Sequence, residues 1–426
     1  MNYEYLAPCP PSFPNIIIEK CKGAEVFDKS GRCYLDFSGA ALAIGHCHPM
    51  VVKAVSSEIG KVTGFTGLVA YTTKYLELAR KLKDIVPIRD AKVAYATTGS
   101  EACDFAINLA RWYTKRPVIV SFHGAYHGLT GFSLSSSPMH GYRKVFPIRI
   151  ENVYSPYPYC YRCPFKQSRD SCNIECLSYL EDDVLRYQVE PEDVAAIIIE
   201  PLQSHGGILV PRKEFMLGVR KIADNIGALL IVDEVYTGFG RTGKWFGVQH
   251  YNIEPDVICL GKGLGGGFPI AAIVAKGKIM ENWTLCSGGS LGTFAGHHIS
   301  ATAALATIDA IEKEKLVDNA MYMGQKLING LMDLKSRYNV VGDVRGLGLV
   351  LGVEIVKADG SPDKKGAFKL KSILMKKGLL IIPVGKYDNV LKVTPPIVIN
   401  EEQVERTLEI LEDSLKEFTQ HIKQDF

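Results

Sequence analysis

Residues 229–235 read LLIVDEV and residues 256–262 read DVICLGK, and these two stretches decide the fold. Each contains a short run of leucine, isoleucine and valine and is followed closely by glycines. Such runs are typical of strands that are buried on both faces of a parallel sheet. Each predicted strand ends in a residue with functional potential, Asp233 in the first and Lys262 in the second.

Asp233 and Lys262 are expected to share one crevice, because open α/β sheets bind ligands at the carboxyl ends of their strands. A lysine can form a Schiff base with an aldehyde, and an acid can pair with a pyridinium nitrogen. The pair therefore meets the minimum requirement for binding pyridoxal 5'-phosphate (PLP). Considered alone, Asp233 is more often the cap of a turn, and Lys262 is more often a solvated loop residue. The rest of the chain must decide between these explanations and a cofactor site.

The composition points to a globular protein that acts on a small molecule. The 426-residue chain is long enough for a large and a smaller domain, with 47% hydrophobic residues. A formal net charge of +3 gives no indication of nucleic-acid or membrane partners. The amino terminus lacks a signal-peptide core, and no apolar run reaches bilayer length. The sequence therefore predicts a cytoplasmic protein with reduced cysteines.

Helices and strands alternate from about residue 50, whereas residues 1–50 look irregular. The alternation predicts βαβ units, and hence an α/β fold with a mainly parallel central sheet flanked by helices. Besides the two opening stretches, strands are expected at residues 93–96, 117–122, 195–200 and 270–275, and helices at 51–59, 74–82, 214–226 and 298–313.

The alternation is lost at about residue 316. Amphipathic helices at 316–338 and 401–422, with strand-like segments at 349–355 and 379–383, predict a smaller α+β domain. The expected division is an N-terminal segment packing with the small domain, a large cofactor-binding domain and a C-terminal small domain, at residues 1–50, 51–315 and 316–426.

A candidate phosphate site lies between a predicted strand and a helix, where residues 97–102 read TTGSEA. Free amides at a helix start, a glycine at position 99 and the hydroxyl of Ser100 suit a phosphate group. The alternative is that Thr98 and Glu101 form only a capping box.

Two further side chains follow predicted strands at the same edge of the sheet. Tyr126 is placed where its ring could stack on a flat cofactor, although such a ring is more often part of a core. Glu200 is either a solvated strand end or a residue that gates the site. A lysine, an acid, an aromatic ring and a phosphate cradle at one edge favour a cofactor site over these separate explanations.

The chain resembles the class III aminotransferases, which are PLP enzymes of fold type I, over nearly its whole length. The most specific match is DEV at residues 233–235 with GFGRTG at 238–243, followed by GKG at 261–263. The resemblance implies a PLP-dependent aminotransferase that moves an amino group from an amino acid or amine to a 2-oxo acid.

The resemblance also implies a role for each cofactor-binding residue. Lys262 forms the Schiff base and is the general base and acid, and Asp233 keeps the pyridine nitrogen protonated. Tyr126 stacks above the ring and Val235 packs beneath it, while Thr293 reaches the phosphate across the interface of a homodimer with shared active sites. The implied cofactor-binding residues are Gly99, Ser100, Tyr126, Asp233, Val235, Lys262 and Thr293.

The substrate side departs from the resemblance. Family members that act on 4-aminobutyrate or ornithine usually carry arginines where this chain has Leu129 and Lys392. Lysine cannot form the bidentate fork of arginine. The resemblance therefore does not decide whether Glu200 and Lys392 act as the carboxylate gate of the family. The departures favour apolar amino acids or amines over dicarboxylates. Amino-acid racemases and epimerases use the same scaffold and the same lysine, and the sequence does not separate these activities.

Two segments suggest other classes of protein. The glycines at residues 261–266 match a dinucleotide fingerprint, but Pro269 follows where a helix should begin. Four cysteines have spacing that resembles a zinc knuckle of a nucleic-acid-binding or partner-binding module, but a packed insertion with free or paired thiols is expected, and no metal is predicted. They are Cys160, Cys163, Cys172 and Cys176.

Overall fold

The computed structural model describes residues 6–7, 11–38, 42–64, 67, 69–138, 151–284 and 292–424. The strands in chain order are β1 (Ile18–Lys22), β2 (Glu25–Asp28), β3 (Cys33–Asp36), β4 (Ala91–Ala96), β5 (Val118–Phe122), β6 (Asn152–Ser155), β7 (Val194–Ile199), β8 (Leu229–Asp233), β9 (Val257–Leu260), β10 (Ala271–Lys276), β11 (Val341–Leu347), β12 (Val350–Ile355), β13 (Leu379–Leu380), β14 (Ile382–Val384) and β15 (Val390–Val393).

The helices are α1 (Pro49–Glu58), α2 (Thr73–Ile85), α3 (Gly99–Thr114), α4 (Gly131–Ser135), α5 (Glu175–Tyr179), α6 (Lys213–Ile226), α7 (Gly277–Met280), α8 (His298–Lys313), α9 (Leu316–Arg337), α10 (Lys364–Lys376) and α11 (Glu401–Gln424). A π-helix, Leu180–Gln188, continues α5, and short 3-10 turns occupy Cys160–Arg162, Pro191–Asp193, Gly247–His250 and Lys262–Gly265. No helix in the described ranges has the length and apolar character needed to cross a bilayer.

A seven-stranded sheet forms the centre of the fold, in the order β4-β10-β9-β8-β7-β5-β6. Strand β10 runs antiparallel to both of its neighbours, whereas the other pairs are parallel. Every residue of β7, β8 and β9 is buried. The predicted mainly parallel sheet is confirmed, and the carboxyl ends of β4, β5, β7, β8 and β9 lie along one edge.

Local sequence explains where the helices around this sheet begin and end. Helix α3 begins after Thr98, whose Oγ1 accepts a hydrogen bond from the Glu101 amide at 3.2 Å. Helix α6 buries an apolar face against β7 and β8 and ends at Gly227, which has the left-handed φ of +67° that favours glycine. The amide end of α3 is therefore fixed at the edge where the strands terminate.

The expectation of an irregular N-terminal segment is wrong. Strands β1, β2 and β3 form an antiparallel meander, and β13 joins it by pairing parallel to β3. All but one residue of β1 are exposed, so this strand lacks the alternating pattern that reveals strands in a sequence. The pairing between β3 and β13 supports our proposal that residues 1–50 belong with the C-terminal domain.

The C-terminal part contains an antiparallel sheet in the order β11-β12-β15-β14, which packs against α9 and α10. The strand expected at residues 349–355 is present as β12, whereas β11, β15 and α10 were not expected. Strand β15 carries Lys392, whose Nζ lies 5.7 Å from the ring centroid of Tyr236, three residues after the end of β8. We propose the domain boundary at about residue 316, where α9 begins.

Candidate active site

Asp233 ends β8 with its side chain buried and held by three neighbours. His127 Nδ1 lies 2.8 Å from Asp233 Oδ2, and the Cys103 thiol donates to the same oxygen at 3.5 Å. The amide of Val235 donates to the other oxygen at 3.0 Å. The carboxylate therefore has a fixed orientation. Sequence reasoning missed His127 and Cys103, although His127 directly follows Tyr126 and was a reasonable candidate for that reason.

Lys262 follows β9 and opens a 3-10 turn with a left-handed φ of +42°, an unfavourable conformation for a residue with a Cβ. Its Nζ lies 5.4 Å from the centroid of the Tyr236 ring. Burial lowers the pKa of the Lys262 amine, and the charge of Asp233 partly opposes this effect. A larger fraction of the amine is therefore neutral and nucleophilic than for a lysine in water.

Glycines bring the start of α3 close to the ends of β8 and β9. A Cβ on Gly99 would lie 2.6 Å from Val235 Cγ1, and one on Gly261 would lie 3.4 Å from the same atom. Only a residue without a side chain fits at position 99. The first amides of α3 have no partner within the helix, and the Ser100 hydroxyl stands beside them. The Thr98 cap and a phosphate site are therefore compatible.

Tyr126 and His205 form one wall of the site. Their rings are stacked, with centroids 4.1 Å apart and an interplanar angle of 17°. Burial, together with the charges of Lys392 and Lys262, lowers the pKa of His205 to about 3. The imidazole is therefore neutral at physiological pH. Sequence reasoning did not single out His205, which lies in a loop five residues after Glu200.

Tyr236 is buried between cationic side chains. Lys392 Nζ lies 5.7 Å from its ring centroid and the Arg241 guanidinium 5.4 Å from it. Burial raises the pKa of Tyr236, but Lys392 and Arg241 outweigh burial and lower it. Lys392 is only 4% exposed and makes no hydrogen bond or ion pair within the part of the chain that the structure describes. A buried cation of this kind suits an anionic ligand.

Glu200 is buried near the Asp233 carboxylate. It accepts hydrogen bonds from the amides of Tyr126 at 3.0 Å and Ser204 at 3.4 Å. Burial raises the pKa of Glu200 to about 7, with a further contribution from Asp233. No ion pair joins Glu200 to Lys392 in the described ranges. The charge of Lys392 instead acts on His205, whose pKa it lowers. The gate remains a prediction.

Leu129 on the substrate side and Thr293, the candidate for the subunit interface, are both exposed. Leu129 is 44% exposed, and its amide donates to the Ser100 hydroxyl at 3.3 Å. Thr293 is exposed and follows Gly292, on which a Cβ would lie 2.5 Å from Glu101 Oε1. Thr293 therefore lies near the start of α3 without being enclosed by it.

The structure does not favour either alternative class of protein. The 3-10 turn after β9 stands where a dinucleotide fingerprint needs an α-helix. The four cysteines of the insertion line one cavity of about 30 Å³ and carry free thiols. Within the described residues, one group of three potential metal ligands has its ligand atoms within 4.8 Å of one another, namely Cys103, His127 and Asp233. The four cysteines of the insertion form no such group in this part of the chain.

The chain matches the family model described as aminotransferase class-III over residues 8–415. It therefore belongs to the class III aminotransferases, which are PLP-dependent enzymes of fold type I that move amino groups. The predicted family, fold class, cofactor and type of enzyme are confirmed.

Named relatives within this family differ in activity. The chain is 37% identical over 407 residues to a leucine/methionine racemase of Thermococcus litoralis, with 95% of this chain and 91% of the relative covered. It is 35% identical over 412 residues to a 4-aminobutyrate aminotransferase of Escherichia coli, with 95% and 94% covered. An omega transaminase from Pseudomonas jessenii, solved in complex with PMP, aligns with a TM-score of 0.89 and 28% identity over 98% of this chain and 97% of that chain.

PLP fits the side chains at this edge of the sheet. The start of α3 offers backbone amides that have no partner within the helix, and Gly99 lets this helix start pack closely against Val235 at the end of β8. Asp233 presents a fixed carboxylate for a pyridinium nitrogen, and Lys262 presents an amine whose pKa is lowered by burial. These features are independent of one another, and each suits a different part of the cofactor.

Proposed function

We propose that this enzyme transfers an amino group between an α-amino acid with an uncharged side chain and a 2-oxo acid. The observation that carries the proposal is Lys262 beside Asp233, since the two occupy the ends of adjacent parallel strands. Bound PLP supplies an aldehyde for the amine and a pyridinium ring that accepts an electron pair from Cα. Lys262 binds the cofactor covalently, and its Nζ, once free, takes and returns the Cα proton.

The other residues on the cofactor side hold and orient the cofactor. The amides of Gly99 and Ser100, at the positive end of α3, bind the phosphate. Asp233 pairs with the pyridine nitrogen, and its contact with His127 keeps the carboxylate in place. Tyr126 and Val235 would hold the cofactor ring between them.

Lys392 binds the substrate α-carboxylate. Its buried ammonium group lacks an anionic partner in the described chain, and binding a carboxylate there would supply one. A dicarboxylate substrate would need a second cation for the carboxylate of its side chain. Position 129 does not supply one, because the exposed side chain of Leu129 is apolar. Uncharged amino acids therefore suit the site better than dicarboxylates. Glu200, with a pKa of about 7, is the candidate for responding to charge changes at this gate.

We propose a homodimer in which Thr293 reaches the phosphate of the partner subunit. The next residue, Phe294, is 60% exposed, and two further apolar side chains, Val69 and Tyr71, are 77% and 68% exposed. Exposed apolar surface of this kind commonly marks an interface. Sedimentation velocity should give a dimer, and Phe294→Asp should shift it toward monomer with loss of activity. An active wild-type monomer would contradict the shared active site.

We also propose a cytoplasmic location. The nine cysteines within the described ranges carry free thiols, which is typical of proteins in a reducing compartment. Fractionation of the native host with an antibody against the protein would test this location directly.

The test of the activity is a panel of amino donors, each incubated with the PLP-loaded protein with and without pyruvate or 2-oxoglutarate. The expected result is oxo-acid-dependent formation of the amino product, with uncharged amino acids preferred over glutamate and aspartate. A donor panel without any oxo-acid-dependent turnover would contradict transamination. Racemisation is the second candidate function, and the 37% identity to a leucine/methionine racemase favours it.

A further inference from the structure

Cys103 lies on α3, one helical turn after Gly99, and is fully buried. It belongs to an apolar cluster in which the helix packs on strands of the central sheet. A thiol in such a cluster usually serves as a small apolar group. Here its Sγ instead lies 3.5 Å from Asp233 Oδ2, so it adds a hydrogen bond to the acid at the end of β8.

The Cys103 thiol remains protonated at physiological pH. The neighbouring Cys259 thiol raises the pKa of Cys103 well above its usual value, and burial and the charge of Asp233 raise it further. Cys259 itself donates to the carbonyl of Ala102 at 3.9 Å. Cys103 is therefore a permanent hydrogen-bond donor to the carboxylate and has little thiolate character.

The donors around Asp233 are distributed unequally between its two carboxylate oxygens. Each oxygen of an ionised carboxylate has two lone pairs and can only accept hydrogen bonds. Oδ2 receives both His127 Nδ1, at 2.8 Å, and the Cys103 thiol, so its lone pairs are occupied. Oδ1 receives the Val235 amide at 3.0 Å and no second donor from the part of the chain that the structure describes. One acceptor position on Oδ1 thus remains for a ligand.

We propose that Cys103 is a positioning residue: its thiol fills Oδ2 of Asp233 and thereby leaves Oδ1 to pair with the pyridine nitrogen of the cofactor. The assignment rests on the proposed function, in which Asp233 pairs with that nitrogen. Hydrogen bonds to an ionised carboxylate stabilise its charged form and make it a weaker base. Cys103 therefore helps to keep the shared proton on the pyridine nitrogen, where it favours the acceptance of electrons by the ring.

The proposal gives α3 two functions in the same site. The amides of Gly99 and Ser100 are proposed to bind the phosphate, and Cys103 lies about 6 Å further along the helix axis, at the acid. Because a helix keeps this spacing, α3 sets the distance between the phosphate site and Asp233. The contact between Cys103 and Asp233 therefore links the two ends of the cofactor site through one rigid element.

The first test measures the protonation of the pyridine nitrogen directly. The full-length protein is loaded with PLP that carries a nitrogen isotope label in the ring, and nitrogen NMR separates a protonated from a neutral pyridine. In the wild type the signal should lie at the protonated value. In Cys103→Ala it should shift toward the neutral value, because the carboxylate becomes a stronger base, and kcat for transfer should fall by about 2- to 10-fold.

Two further variants separate the hydrogen bond from the volume of the side chain. Cys103→Ser keeps a donor of similar size and should retain the wild-type signal and kcat. Ile107→Val, which removes one heavy atom from a buried side chain one turn further along α3, should also retain both. A wild-type signal in Cys103→Ala, or an equal shift in Cys103→Ser or Ile107→Val, would overturn the proposal.

A crystal structure of the PLP-loaded wild type tests the same assignment without a substitution. The ring nitrogen should lie within hydrogen-bond distance of the Asp233 oxygen that accepts from Val235, with Cys103 and His127 on the other oxygen. A ring nitrogen on the oxygen that faces Cys103, or a thiol turned away from the carboxylate, would contradict the proposal.

The proposed function and the assignment of Cys103 can fail separately. If no donor supports oxo-acid-dependent transfer and Lys262→Ala does not affect cofactor attachment, the proposed function fails. If transfer depends on Lys262 and the wild-type ring nitrogen is protonated, but Cys103→Ala leaves its signal unchanged, only the assignment of Cys103 fails.

Discussion

The cofactor side and the substrate side of this site are built in different ways. On the cofactor side, Asp233 and Lys262 extend from adjacent strands of a rigid sheet, and Gly99 begins a helix packed against them. On the substrate side, His205 comes from a loop and Lys392 from a strand of the C-terminal sheet. The difference teaches that the residues of the cofactor chemistry are positioned by the parallel sheet. The residues proposed to choose the substrate are instead brought together by packing between distant parts of the chain.

The largest effect is expected on the cofactor side, at Lys262. Lys262→Ala removes both the covalent attachment and the proton-transfer group, so turnover should fall by at least roughly 10⁴-fold. Borohydride treatment followed by mass spectrometry should no longer attach the cofactor to the chain. Lys83→Ala, at an exposed lysine of α2, is the matched control and should keep both properties. Full activity in Lys262→Ala would remove the basis of the assignment.

Asp233→Asn should have the next largest effect. The amide keeps the volume of the carboxylate but loses the charge opposite a pyridinium, so kcat should fall by roughly 10²–10³-fold with little change in melting temperature. The neighbouring Glu234 accepts from the amides of Gly247 and Val248 at 2.9 and 2.6 Å. Glu234→Gln should therefore lower the melting temperature and retain kcat. The reverse pattern in these two variants would contradict the division between a functional and a structural acid.

Lys392→Met tests the substrate side. Losing a hydrogen bond to a charged carboxylate costs about 1.5–3 kcal/mol, so kcat/KM for an α-amino acid should fall by about 10- to 150-fold. A primary amine without a carboxylate should lose little. Steady-state kinetics with L-alanine and with an amine of similar size measures the contrast. Equal losses for both substrates would mean that Lys392 serves the structure and not the carboxylate.

The last effect concerns the pH dependence of stability at Glu200, with no loss of catalysis in its readout. Its folded pKa of about 7 lies above the unfolded value of about 4.3, so the folded protein binds the extra proton between these values. Wild-type stability from Glu200 is thus present at low pH and is lost as the pH rises through 7. Glu200→Gln cannot ionise and should gain up to roughly 3 kcal/mol over the wild type between pH 4.5 and pH 8. Urea denaturation of the cofactor-free protein at several pH values checks this gain, and a gain independent of pH would contradict it.

Much of the fold could be predicted because the sheet interior leaves a local signal. The apolar runs that became β7, β8 and β9 are buried on both faces, and the helix at residues 298–313 was predicted with the bounds observed for α8. The N-terminal meander could not be predicted in the same way. Its first strand is mostly exposed, and its pairing with β13 joins residues more than 300 positions apart.

The sequence by itself determined the family, the cofactor and the candidates Asp233 and Lys262, because strand ends with glycine-rich turns are local features. Only the tertiary structure brought His127 to Asp233, His205 to Tyr126, and Lys392 to Tyr236. The physical reason is that these contacts join loops and strands that are far apart along the chain, so no periodic pattern in the sequence predicts them. Burial lowers the pKa of Lys262, on which the proposed proton transfer depends, and the charges of Asp233 and the distant Lys392 adjust it further.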